Sequence, residues 1–310
     1  MLARLTINIA DLRANRGIPL STPLPSRTAE YMAFFRAMET SSARDKRLFA
    51  DPLAASFLRP SLKFALHLAN LPVVGKGIPK FIDHRWPGAR TSGVARTRLI
   101  DDLMMEAFRC GLEQVVILGA GFDARAYRLL RPATTRFFEV DQPNTSQNKR
   151  RMIEDCLGAL PPDVAFVEID FNQQALSPAL EHAGFQRQQS AFFLWEGVTN
   201  YLTEYAVDST LRWIGSCAPL SQLVFTYVHK DVIAAPASFG GTKQLGRTLA
   251  RVRERWTFGM HPAEMRAHLA AHCLELMDDL GAADYRTRYL GGPGVGYEFY
   301  RVAIARVVGA

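Results

Sequence analysis

Gly119-Ala120-Gly121 follows directly on the apolar run Gln114-Val-Val-Ile-Leu118. Glycines leaving a buried strand let the backbone approach a ligand closely, and the helix such a loop opens turns free N–H groups towards that ligand. Asp141 ends the next β-type run, about 20 residues on, where a carboxylate can accept two hydrogen bonds from a ribose diol. Asp170 and Glu196 close two further runs, Val164 to Asp170 and Ser190 to Glu196. The glycines and Asp141, with Ala124 completing a GxGxxA spacing, suit a nicotinamide or flavin enzyme as well as other adenosine cofactors. Asp170 and Glu196 are surplus to a dinucleotide. With S-adenosylmethionine they find work: Asp170 can take the adenine amino group and Phe171 can contact the ring. The competing role for Asp170 is a helix N-cap.

Other chemistry-bearing residues form weaker patterns. His268 and His272 lie four apart on a predicted helix with Cys273 beside them, but the glutamate of the HExxH pattern is missing, and no metal is assigned. Cys110, Cys156, Cys217 and Cys273 are far apart and make no CxxC pair, which favours buried free thiols over disulfides or a zinc cage. Arg247, Arg251, Arg253 and Arg255 form a basic stripe, most simply a solvated face.

Carboxylates can share one rim only if parallel strands deliver them. Five apolar runs, 114–118, 136–141, 164–170, 190–196 and 222–228, alternate with helical stretches, which predicts a parallel sheet with right-handed crossovers. Residues 297–307 are β-branched with no helix after them and are predicted to close the sheet antiparallel. Residues 28–58 show helical apolar spacing, 96–108 a further helix, and 62–74 an apolar cap helix broken by Lys63, His67 and Asn70. The organisation predicted is an N-terminal arm and helical cap over 1–95 and a core over 96–310, with a lid insertion at about 230–262.

At 310 residues and 48% hydrophobic content, the chain can bury one large core. No run reaches the length of about 18 apolar residues that a membrane span needs. Arg4, Asp11, Arg13 and Arg16 interrupt any leader-like segment, so a cytoplasmic protein is expected. A net charge of +7 favours acidic small molecules, while no basic–aromatic alternation suggests a nucleic-acid surface. Oligomeric state leaves no mark.

Arg96-Thr-Arg98, Asp101-Asp102, the stretch Val116 to Arg128, Phe138-Glu-Val-Asp-Gln-Pro143 and Lys149 together resemble the leucine carboxyl methyltransferase family, especially its bacterial branch tied to polyketide and other secondary metabolism. Arg36-Ala-Met-Glu39, Leu48-Phe-Ala-Asp-Pro52 and Glu196-Gly-Val-Thr-Asn-Tyr-Leu202 extend the resemblance over roughly residues 28–307. It implies an α/β class I S-adenosylmethionine methyltransferase, a Rossmann-like mostly parallel sheet with an antiparallel last strand plus helical cap. It further implies that Arg96 clamps the methionine carboxylate and Glu196 sits by the methionine amino group. Gly119, Ala120 and Gly121 would line the cofactor, Asp141 would hold the ribose, and Asp170 with Phe171 the adenine.

Tyr201 would lie at the border between cofactor and acceptor. His229, just after the fifth strand, is the best-placed base by sequence should the acceptor need one. Arg98, Arg125 and Arg128 suit structural ion pairs with Asp101, Asp123 or Glu139. Tyr31, Phe34, Phe35 and Trp86 suit either core packing or an acceptor wall. The expected reaction is O-methylation of a small acidic or hydroxylated metabolite, a carboxylate ahead of a phenol. A peptide or protein C-terminus is the alternative acceptor, and a dinucleotide oxidoreductase the alternative of another class.

Overall fold

The computed structural model describes residues 27–71, 75, 77–171, 173–234, 239, 242 and 256–309. Three helices come first, α1 (Arg27–Thr40), α2 (Pro60–Ala69) and α3 (Gly77–Arg85), and then the long α4 (Ala89–Arg109). Strands and helices follow in alternation: β1 (Gln114–Leu118), α5 (Arg125–Arg128), β2 (Arg136–Asp141), α6 (Pro143–Leu157), β3 (Val164–Glu168), α7 (Leu176–His182) and β4 (Ala191–Trp195). The C-terminal part holds α8 (Glu204–Gly215), β5 (Gln222–Val228), α9 (Asp231–Ala234), α10 (Pro262–Ala270), β6 (Leu274–Gly281), α11 (Ala282–Leu290) and β7 (Tyr300–Val307).

The seven strands form one sheet in the order β3-β2-β1-β4-β5-β7-β6. Strands β1 to β5 pair in parallel, and β7 runs antiparallel to both β5 and β6. The antiparallel closure by residues 300–307 agrees with the sequence, but β6 was not predicted. Its segment, Leu-Glu-Leu-Met-Asp-Asp-Leu-Gly, alternates poorly because it lies at the sheet edge with most side chains at least partly solvated.

Both sheet faces are covered, as the unbroken burial of β1 and β4 requires. Leu180, Ala206, Leu211, Met265 and Leu269 bring α7, α8 and α10 onto one face. Leu99, Met104, Ala107 and Tyr285 bring α4 and α11 onto the other. A separate apolar cluster joins α1 to α3 to the start of α4 through Phe34, Phe57, Leu66, Ile82 and Val94. This is the cap.

Three expectations change in detail. The helix expected over 28–58 ends at Thr40, and 41–58 form turns held by Asp51, whose carboxylate takes the Ala54 N–H while Thr40 takes the Asp51 N–H. The boundary at 95/96 falls inside α4, so cap and core share that helix. The four cysteines are unpaired, but only Cys217 is buried, where burial pushes its thiol up to about 12. The basic stripe at 247–255, the arm up to residue 26 and most of the lid stretch lie outside the described residues. Among those described, no helix is long and apolar enough to cross a membrane.

Candidate active site

From β1 the sheet is built outwards to β3 on one side and from β4 on the other, so the chain changes direction between β1 and β4. A crevice opens at such a switch point, above the carboxyl ends of the strands. A cavity of about 550 Å³ lies there, lined by Arg96, Gly119, Ala120, Gly121, Asp141, Asp170, Phe171, Glu196 and Tyr201. All but one of the sequence-predicted site residues therefore share one wall.

The exception is His229. It does not line the cavity; its ring packs against Phe239 and His261, and its Nδ1 accepts the Asp231 N–H at 3.3 Å.

The glycine loop works differently from expectation. Gly119 and Ala120 both donate their N–H to the Val140 carbonyl, and Gly121 donates to Asp141 Oδ2. These groups are thus spent on the end of β2, and α5 begins only at Arg125 and is four residues long. The glycines serve close approach instead. Gly119 has φ +68°, and a Cβ there would lie 2.3 Å from Val198 Cγ2, in the loop after β4. Gly121 has φ +41° and fixes the Asp141 carboxylate. Asp141 Oδ1 also accepts from Gln142 N–H at 2.7 Å. Burial raises the Asp141 pKa, an effect these two N–H groups only partly offset.

Behind this rim lies a buried ion network. Arg96 Nε donates to Glu196 Oε1 at 2.7 Å, and Arg125 Nη1 to Glu196 Oε2 at 2.9 Å. Arg125 also binds Asp101 at 2.8 Å and pairs with Asp123, while Arg128 grips both oxygens of Asp101. The Arg96 guanidinium stacks 4.6 Å from the centre of the Tyr300 ring. Burial alone would raise the Glu196 pKa, but Arg125 and Arg96 outweigh it and hold the carboxyl below its ordinary value. Asp123, likewise buried, is held at about 2 by Arg125 first and Lys149 next. The expected structural pairing of Arg125 and Arg128 is present, and Arg98 pairs with Asp102.

Opposite the rim, Tyr31, Met32, Phe34, Phe35, Leu62, Ile82 and Trp86 of the cap line the same cavity, with Leu202, Trp256, Tyr297 and Tyr300. The aromatic set is thus both packing and wall. Sequence reasoning passed over Asn200, which also lines the cavity, is 1% exposed, and has an Oδ1 without a hydrogen-bond partner among the described residues. Trp256, in the same wall, has an Nε1 that likewise lacks a hydrogen-bond partner among the described residues. Neither signals itself in sequence, because only the fold brings the two together.

The rim matches an adenosine cofactor with an amino-acid tail. The Arg96–Glu196 pair offers a cation and an anion side by side, the complement of a zwitterionic α-amino acid. The fold is that of the class I S-adenosylmethionine-dependent methyltransferases. Residues 29–215 match the family model for leucine carboxyl methyltransferase, and the chain belongs to that family. A candidate S-adenosyl-L-methionine-dependent methyltransferase of Mycolicibacterium smegmatis is 34% identical over 232 residues, covering 68% of this chain and 72% of that one. A candidate enzyme of the same description from Mycobacterium avium is 36% identical over 212 residues, covering 67% of each. A crystal structure of a candidate methyltransferase from Thermobifida fusca shares the fold, with a TM-score of 0.56 at 16% identity, over 93% of this chain and 97% of that one.

Proposed function

We propose that this methyltransferase transfers its methyl group to an oxygen of a small, largely apolar, hydroxyl-bearing molecule. One observation carries the reading: a single cavity joins the charged rim to an aromatic wall, and two residues of that wall, Asn200 and Trp256, hold buried polar atoms (Oδ1 and Nε1) without a hydrogen-bond partner among the described residues. Turned towards the cavity, the amide oxygen would accept from a hydroxyl and the indole N–H would donate to one. Among the described residues, the arginines lining the cavity, Arg36 and Arg96, are already paired with Asp51 and Glu196. This favours a hydroxyl over the carboxylate that the sequence placed first.

In this reading Arg96 and Glu196 hold the amino-acid end of S-adenosylmethionine, Asp141 the ribose, and Asp170 with Phe171 the adenine. The cofactor supplies a methyl on a sulfonium, ready for in-line displacement. The chain's own work is alignment and exclusion of water. Tyr201 stands at the border of the two halves, and the cap aromatics dry the acceptor side. Of the two bases considered from sequence, His229 lies outside the cavity wall and Tyr201 lies on it, where its phenolate form would take a hydroxyl proton.

The test is a panel of matched aromatic acceptors, hydroxylated and carboxylated, assayed with parent and Asn200→Ala. Turnover of the hydroxylated members, rising with pH and falling about tenfold or more in the variant, is the expected outcome. Turnover confined to carboxylates, flat from about pH 6 to 9, overturns it.

A further inference from the structure

Helices α8 and α10 cover the same sheet face, and a second group of convergent side chains lies between them. Asp208 of α8 meets His268 of α10 and His272 of the turn that follows it. Asp208 Oδ1 stands 3.4 Å from His268 Nε2 and 3.5 Å from His272 Nε2. Neither contact is a hydrogen bond: Asp208 Oδ1 and His268 Nε2 are buried and have no hydrogen-bond partner among the described residues.

A tetrahedral ion with bonds of about 2.0–2.1 Å holds its ligand atoms roughly 3.3 Å apart. Both Asp208–histidine spacings have that value within a few tenths of an ångström, and the three ligand atoms all lie within 4.8 Å of one another. Two imidazole nitrogens and a carboxylate oxygen are the donor set of a borderline ion of the zinc type, with a fourth position left for water. Glu204 and Glu264, each one turn before a ligand, add negative charge around His268.

We propose that Asp208, His268 and His272 form a divalent-metal site of the zinc class that clasps α8 to α10. The sequence pattern misses it because the third ligand comes from another helix, 60 residues before His268. A second trio, His229, Asp231 and His261, lacks this geometry. Its imidazoles face different oxygens of Asp231 at 3.5 and 3.8 Å, and His229 Nδ1 already accepts a backbone N–H.

The full chain, stripped with a chelator, is titrated with Zn²⁺ and followed by metal content and thermal unfolding. About one zinc per chain and a rise in Tm of about 5 °C at a hundredfold excess over Kd are expected. Asp208→Asn and His268→Ala should each weaken zinc binding by about tenfold or more and abolish the rise, while unfolding like the parent in chelator. His261→Ala should bind as the parent does. Co²⁺ in the parent should show the visible absorption of a four-coordinate ion, a readout that needs no variant. Failure of the parent to retain zinc, equal binding by Asp208→Asn, or loss in His261→Ala alone overturns the site.

Discussion

On the rim side of the cavity, Arg96, Arg125 and Asp101 are buried, Asp123 and Glu196 are partly buried, and each charge is matched by an opposite one at hydrogen-bond distance. On the cap side, Phe34, Phe35, Leu62 and Ile82 present hydrocarbon with little hydrogen bonding. The rim gains position at a high cost in desolvation, so removing one partner strands the others. The cap gains volume and dryness, and its side chains can trade shape with modest loss. One wall is built to be invariant in geometry, the other to be adjustable.

The largest break in this contrast comes from Arg125→Met, which leaves Asp101, Asp123 and Glu196 short of a cation. Urea unfolding should show a loss of about 3–5 kcal/mol; a loss below about 1 kcal/mol would make the rim as tolerant as the cap. Next is Asp141→Asn, which removes charge from the proposed ribose contact. Calorimetry with S-adenosylhomocysteine should find binding weaker by about 1.5–3 kcal/mol, and parent-like binding removes Asp141 from that role.

Acid probes the rim without mutation. Asp123 is held at about 2, below the ordinary value of 3.8. A depressed carboxyl contributes stability that is fully present above its unfolded pKa and lost as pH falls through the folded one. The window is therefore about pH 4 to 2, and the shift corresponds to about 2 kcal/mol. The stability gap between parent and Asp123→Asn, measured by urea midpoints across that range, should close by this amount. A gap constant from pH 6 to 2 contradicts the pairing. Asp141 has the opposite sign, since burial raises it, so it cannot produce the same loss.

The smallest effect is expected on the cap. Phe35→Leu should cost about 1 kcal/mol of stability and leave S-adenosylhomocysteine affinity unchanged, while altering KM for the acceptor. A fall in cofactor affinity comparable to that of Asp141→Asn would show that the two walls are not separable.

Much of the rim was legible because strand periodicity fixes which residues leave a sheet at its carboxyl edge. Gly119, Asp141, Asp170 and Glu196 each end or follow an apolar run, and parallel pairing brings those ends together. The role of the glycine N–H groups was not legible, because their acceptors, Val140 O and Asp141, belong to another strand. His229 illustrates the same limit in reverse. It directly follows β5, yet its ring turns to Phe239 and His261, a choice made by side-chain packing rather than by strand register. Asn200 and Trp256 are 56 positions apart, and only tertiary structure makes them neighbours of one cavity. The edge strand β6 was hidden because solvation of most of its side chains removes the pattern that marks a strand.

The placement of β7 between β5 and β6 has a consequence for the order of assembly. Strand β6 precedes β7 in the chain but can join the sheet only through it, since the two strands beside β7 do not touch each other. Docking β6 early would form no ladder hydrogen bonds, because its ladder partner is still missing. The unit β6-α11-β7 should therefore pair locally and then add to the exposed edge of β5 as a preassembled block, the route with the shortest loop closure. Tyr300, at the start of β7, is the ring under Arg96, so the rim acquires its full shape only when that block lands. In pulse-labelled hydrogen exchange during refolding, β6 and β7 amides should gain protection together, and later than those of β1 and β4.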